Sequence, residues 1–174
     1  KDLAVVGYVG HIHDWVDVDL IVSTASVLSN AIFVIIGPGS LNLIDELKKS
    51  KNILYLGPKP YSELVSYLAY CKVGIIPFKL NTLNESTNPI KLYEYLGAGL
   101  PVVSTGMNEV KQYQQDGVVY VADTAPEFAA CINNAIASSE NIELITKRMS
   151  VAAHNSWPSR LRLVHNEIKK CLPD

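Results

Sequence analysis

Short apolar runs rich in Val and Ile alternate with segments of helical period along nearly the whole chain. The runs at residues 3–9, 31–36, 53–56, 73–76, 101–104 and 118–121 predict six strands, each of ordinary strand length and most bounded by turn residues. Apolar residues are continuous within these runs, as expected of strands covered on both faces. Helices are expected over 17–29, 41–50, 62–70, 89–96 and 108–115, then from a Thr124/Glu127 capping box to about 138, and over 141–154 and 158–172. Ser62 is placed to cap the third, above a buried stripe of Leu64, Val65 and Leu68. The last puts Leu161, Val164, Ile168 and Cys171 on one face, so it needs a surface to cover. Alternation of this kind builds βαβ units. The expected fold class is therefore α/β, a doubly wound, mainly parallel six-stranded sheet with helices on both faces and a C-terminal helical tail.

Composition narrows the chemistry. At 174 residues the chain fits a single domain, residues 1–174, able to bury its own core. Fifteen basic residues against seventeen acidic ones, a net charge of −2, exclude a broad basic field for nucleic acid or an anionic membrane. Any anion has to be held locally. Cys71, Cys131 and Cys171 lie far apart without a CxxC pair, and read as reduced, buried thiols of a cytosolic protein. No signal peptide is visible, and the apolar runs fall far short of the roughly 20 residues that cross a bilayer. A strand beginning almost at the first residue suggests a piece cut at a domain boundary.

Ligands of an open parallel sheet bind beyond the carboxyl ends of the strands, which directs attention to the loops that follow them. After the first strand, Gly10 lets the backbone approach a ligand closely. The surrounding sequence is not a GxGxxG fingerprint, and no acidic residue ends the second strand, which argues against a dinucleotide. His11 and His13 read as surface loop residues; with Asp14 they make too sparse a set for a metal, so none is expected. Gly37-Pro38-Gly39-Ser40 and Gly57-Pro58-Lys59-Pro60-Tyr61 are turns that can also present backbone groups to a nucleobase.

The segment from Ser86 to Thr105 carries most information. Asn88 is a favoured cap and Pro89 a favoured first helical residue, so free N–H groups and the helix dipole face outward there and suit a phosphate. Ser86, Thr87 and Asn88 add polar groups just before, Ile90 sits in the first turn, and Lys91 brings a positive charge. Glu94, three residues on, shares a helical face with Lys91 and can accept two hydrogen bonds from a ribose diol. The same residues also read as an ordinary capped helix with a Lys91–Glu94 surface ion pair, stopped by Gly97 and Gly99.

Taken in order, Val6-Gly7-Tyr8-Val9-Gly10, Ile35-Ile36-Gly37-Pro38-Gly39, Leu56-Gly57-Pro58, Val73-Gly74-Ile75-Ile76-Pro77-Phe78, the stretch 91–103 and Ser156-Trp157 resemble the C-terminal, donor-binding domain of GT-B fold glycosyltransferases. The likeness is to the family 4, or glycosyl transferases group 1, enzymes, and it implies one Rossmann-like half of a GT-B fold. It further implies a nucleoside-diphosphate sugar as donor and substrate, no cofactor, and retaining transfer to a glycan or lipid-linked acceptor in cell-envelope polysaccharide synthesis. By the same resemblance Glu94 holds the ribose, the loop with Lys59 and Pro60 frames the base, and Thr87, Asn88 and Pro89 meet the diphosphate, with Ile90 and Lys91 of the first turn placed to join them. Gly10, His11 and Gly37 lie beside it.

Two positions depart from the family. Its paired glutamates have seven residues between them, and counting back from Glu94 reaches Ser86, with Glu85 one place off. Lys91, Glu85 and Ser86 are thus the candidate catalytic positions. The arginine and lysine that the family places after the first strand are replaced by His11, His13 and Asp14. The partners implied are the donor, an N-terminal acceptor-binding domain lying outside these residues, and the acceptor. The implied location is cytoplasmic, with the inner membrane face reached through that other domain. A GT-B epimerase and a non-catalytic nucleotide-binding module are the alternatives.

Overall fold

The computed structural model describes residues 3–171. Six strands, β1 (Ala4–Val9), β2 (Ala31–Ile36), β3 (Ile53–Gly57), β4 (Val73–Ile76), β5 (Val102–Ser104) and β6 (Val119–Val121), form one sheet in the order β3-β2-β1-β4-β5-β6. Every pairing is parallel. The chain order reverses between β1 and β4, where a crevice opens at the carboxyl ends of the strands. Val6, Phe33, Ile35, Val73, Ile75, Val102 and Val103 are fully buried, which is why these runs lack a polar face.

The helices are α1 (Val18–Val27), α2 (Leu41–Lys48), α3 (Tyr61–Leu68), α4 (Thr82–Glu85), α5 (Ile90–Gly97), α6 (Asn108–Lys111), α7 (Ala125–Ser138), α8 (Ile142–His154) and α9 (Trp157–Cys171). Helix α1 packs with α2 and α7, whereas α5 packs along α8, so both faces of the sheet are covered. Close packing of α5 depends on Gly74: a Cβ there would stand 2.5 Å from the Tyr95 ring. No helix among the described residues is long and apolar enough to cross a membrane.

Several local expectations are corrected. Helix α3 starts at Tyr61 with Pro60 as cap, so Ser62 lies inside the helix and caps nothing. Of its expected stripe only Leu68 is buried; Leu64 is half-buried and Val65 is exposed. Helix α5 likewise begins one residue late, with Pro89 as the cap and Asn88 before it. Thr124 does not cap a backbone amide; its hydroxyl donates to Glu127 Oε2 at 2.8 Å instead. Helix α6 is a single turn, because Gln115 bridges back to Val119 around Gly117, whose φ of 77° ends any helical path. The one-turn α4 was not anticipated, although Asn81 accepting from the Asn84 N–H at 2.9 Å is an ordinary cap signal.

Cys71 is a buried free thiol and Cys131 a half-buried one; the Cys171 side chain lies outside the described residues. The tail is anchored by the packing of α8 on α5 and by Arg148 in α8, which is 0% exposed and donates to the carbonyls of Gly117, Gly99, Ser138 and Ser139 at 2.6, 2.9, 2.8 and 3.2 Å. Beyond it, Leu161, Val164 and Ile168 of α9 remain exposed, so the apolar stripe of that helix is uncovered among the described residues.

Candidate functional site

Three backbone segments meet at the crevice. The loop after β1 is tied to the loop after β2 by Gly10 N–H donating to Ile36 O at 2.9 Å and Ile12 N–H to Pro38 O at 2.8 Å. Their approach is so close that a Cβ on Gly37, at φ 140°, would sit 2.0 Å from Gly10 O. Tyr55 donates to Gly37 O from below, and Tyr8 donates to His11 O, both at 2.9 Å, so the floor under these loops is rigidly held.

The third segment is the start of α5. Asn88, Pro89 and the exposed Ile90 bring its first turn to the crevice, and the amides of Ile90 and Lys91 have no acceptor among the described residues. Asn88 Oδ1 is buried and also unpartnered, an acceptor that a ligand hydroxyl or a water would satisfy. Lys91 reaches back under the β1 loop. Its Nζ lies 4.8 Å from the Phe78 ring centre and 5.3 Å from that of Tyr8, and a Cβ on Gly10 would come within 2.9 Å of it.

Among the described residues no carboxylate pairs with Lys91, so the surface ion pair with Glu94 does not form. Burial drives its pKa down from 10.5 to about 8, and the more distant Glu94 opposes that only in part. The opening of α5 therefore supplies both a poorly solvated cation and free amide donors, groups suited to an anion.

Glu94 stands one turn further along α5, half-buried, and accepts from the Tyr61 hydroxyl at 3.4 Å. It is shared by two recesses. One, of about 230 Å³, runs between α3 and α5 beside Val9, Leu64 and Val65. The other, of about 490 Å³, opens over the outer side of α5 toward Tyr93, Asn155, Trp157 and Arg160. Tyr61 borders both.

Other expected residues stand apart. Ser86 and Thr87 donate their hydroxyls to Thr82 O and Leu83 O of α4, at 3.3 and 3.0 Å, so neither proton faces the α5 amides. Glu85 is exposed on α4 and borders neither recess. Pro60 caps α3, and Lys59 places its ammonium 6.0 Å from the Tyr67 ring centre. His11, exposed, meets His13 and Trp15 edge-on, while His13 stacks on Trp15 at 4.5 Å. No three His, Cys, Asp or Glu side chains converge among the described residues. Tyr93, Asn155 and Arg160 gave no sequence signal, because only the docking of the C-terminal helices beside α5 brings them to one recess.

The chain matches a family model described as "Glycosyl transferases group 1" over residues 4–138. It is 27% identical over 165 residues to the putative teichuronic acid biosynthesis glycosyltransferase TuaH of Bacillus subtilis strain 168, a match covering 92% of this chain and 42% of that protein. Among solved structures, Anabaena HepE in complex with UDP and glucose superposes with a TM-score of 0.71 at 16% identity, covering 98% of this chain and 49% of the other. Sucrose-phosphate synthase from Thermosynechococcus elongatus gives 0.77 at 12% identity, with 98% and 47% covered. The chain thus spans about half the length, or less, of these relatives.

Proposed function

The chain belongs to the glycosyl transferases group 1 family, and from that membership we propose that it is the donor-binding half of a retaining glycosyltransferase whose donor is a nucleoside-diphosphate sugar. The observation that carries this reading is the opening turn of α5. It has free amides at Ile90 and Lys91 and a desolvated Lys91 ammonium beside the Gly10 backbone, and Glu94 lies one turn away. A diphosphate at that turn leaves its ribose within reach of Glu94, whose carboxylate accepts from a vicinal diol. The base then lies toward Tyr61 and the 230 Å³ recess.

In transfer, the bond from the sugar to the diphosphate breaks and negative charge grows on the leaving oxygen. The α5 amides and Lys91 stabilise that charge, and they do so more strongly in a dry site. The acceptor, a glycan or lipid-linked sugar, is bound by the remainder of the protein on the cytoplasmic side of the membrane. The B. subtilis relative named for teichuronic acid biosynthesis supports an envelope polysaccharide as the product. One observation favours a non-catalytic nucleotide-binding module instead: with Ser86 turned into α4 and Glu85 outside both recesses, the second carboxylate of the family's pair has no counterpart beside Glu94.

Calorimetric titration with UDP and with GDP tests the donor reading. One of the two is expected to bind, and Glu94→Ala to weaken it roughly tenfold or more by removing charged hydrogen bonds. No heat with either nucleotide, or unchanged affinity in Glu94→Ala, would overturn it.

A further inference from the structure

Tyr93 and Glu94 are adjacent on α5 and leave the helix about 100° apart, so what grips Tyr93 on one side sets where Glu94 points on the other. Tyr93 is gripped by side chains from two other segments, and a third, Asn155, ties those two together. Its hydroxyl accepts from Arg160 Nη2 at 3.0 Å, and the Arg160 guanidinium also lies 5.0 Å from the ring centre. Tyr113, just after α6, stands edge-on to Tyr93 with the two hydroxyls 3.4 Å apart. Tyr113 in turn donates to Asn155 Oδ1 at 3.0 Å, and Arg160 reaches the same oxygen at 3.4 Å. Asn155 is the C-terminal cap of α8.

Tyr93, Asn155 and Arg160 of this cluster line the 490 Å³ cleft together with Glu94 and Trp157. Beyond Arg160, residues 161–170 of α9 are exposed throughout, so Arg160 is where that helix engages the site. Burial raises the Tyr93 phenol to about 12, so it stays a neutral hydroxyl and keeps the Arg160 bond throughout the ordinary pH range.

We propose that Arg160 is a positioning residue for the nucleotide site: acting through Tyr93 and Asn155, it fixes the roll of α5 and thereby the direction of Glu94 and of the α5 amides. This rests on the reading of α5 as the nucleotide site. Coupling between two points of one structure is reciprocal, so nucleotide bound at Glu94 is also felt at the start of α9.

The test uses the whole chain labelled with 5-fluorotryptophan, which gives one fluorine resonance each for Trp15 and Trp157. UDP and GDP are titrated into the unaltered chain, Arg160→Gln, Tyr93→Phe and the double variant. Each single change is expected to weaken the nucleotide that binds by about fivefold. The double variant should be no weaker than the worse single one, because both break the same link, and the Trp157 shift seen on binding should shrink in all three. Tyr93→Phe removes one oxygen and keeps the ring, so it serves if Arg160→Gln folds poorly. Affinities within twofold of the unaltered chain, with lowered melting temperature alone, would make the cluster merely structural and overturn the proposal. Absence of binding by the unaltered chain would instead remove the α5 reading beneath it.

Discussion

Replacing Lys91 by Met should stabilise the protein while impairing the proposed nucleotide site. Burial holds the Lys91 pKa at about 8 against 10.5 for a solvated lysine, a difference that corresponds to roughly 3 kcal/mol opposing the folded, protonated state. At pH 7 Lys91 is protonated both folded and unfolded, so the full penalty stands. Between about 8 and 10.5 the unfolded chain holds more protons than the folded one, and stability rises with pH through that window. Met keeps much of the stem but forfeits the cation contacts with Tyr8 and Phe78, each worth about 0.5–1 kcal/mol at 5.3 and 4.8 Å. The net expectation is a gain of about 1–2 kcal/mol at pH 7. Urea denaturation of both proteins at pH 7 and pH 10 measures it, and the Lys91→Met advantage should largely vanish at the higher pH. In parallel, nucleotide affinity of the unaltered chain should fall as pH rises through about 8, with Lys91→Met weaker and flat over the same range. A destabilised Lys91→Met protein at pH 7, or an advantage independent of pH, would refute the description of Lys91 as a desolvated cation awaiting an anion.

Two further substitutions separate scaffold from site. Arg148→Met leaves the carbonyls of Gly99, Gly117 and Ser139 without their donor, and should cost about 3 kcal/mol or more by urea melts. Gly37→Ala forces a methyl against Gly10 O in a backbone conformation that side chains rarely adopt. A loss of about 3 kcal/mol is expected in the same assay, together with loss of nucleotide binding, because the β1 loop has to move.

The sheet was legible because its central strands are uninterrupted Val- and Ile-rich runs largely buried on both faces, a pattern that surface residues cannot blur. The strands at 31–36 and 73–76 carry their expected limits, and the others shift by a residue. Helix starts were less legible, since a proline such as Pro60 or Pro89 fits both the cap and the first turn and only the local φ and ψ decide between them. The α5 segment suggests an anion site from Asn88, Pro89 and Lys91 by sequence alone, and the free amides at its start agree with that reading. That Lys91 turns inward under Gly10 instead of pairing with Glu94 was not legible, because spacing on one helix face says nothing of what a neighbouring strand offers. Arg148 and Arg160 were opaque for a related reason. Their partners lie on other elements, tens of residues away for Gly99, Gly117 and Tyr93, and a charged residue in a helix reads by default as surface.

The most direct measurement is a backbone-amide NMR titration of the nitrogen-15-labelled chain with UDP and with GDP. A donor site at the start of α5 requires saturable shifts concentrated at the amides of Ile90, Lys91 and Gly10, with smaller ones at Tyr61 and Glu94, for one of the two nucleotides. Shifts centred elsewhere, or none at millimolar nucleotide, would contradict it.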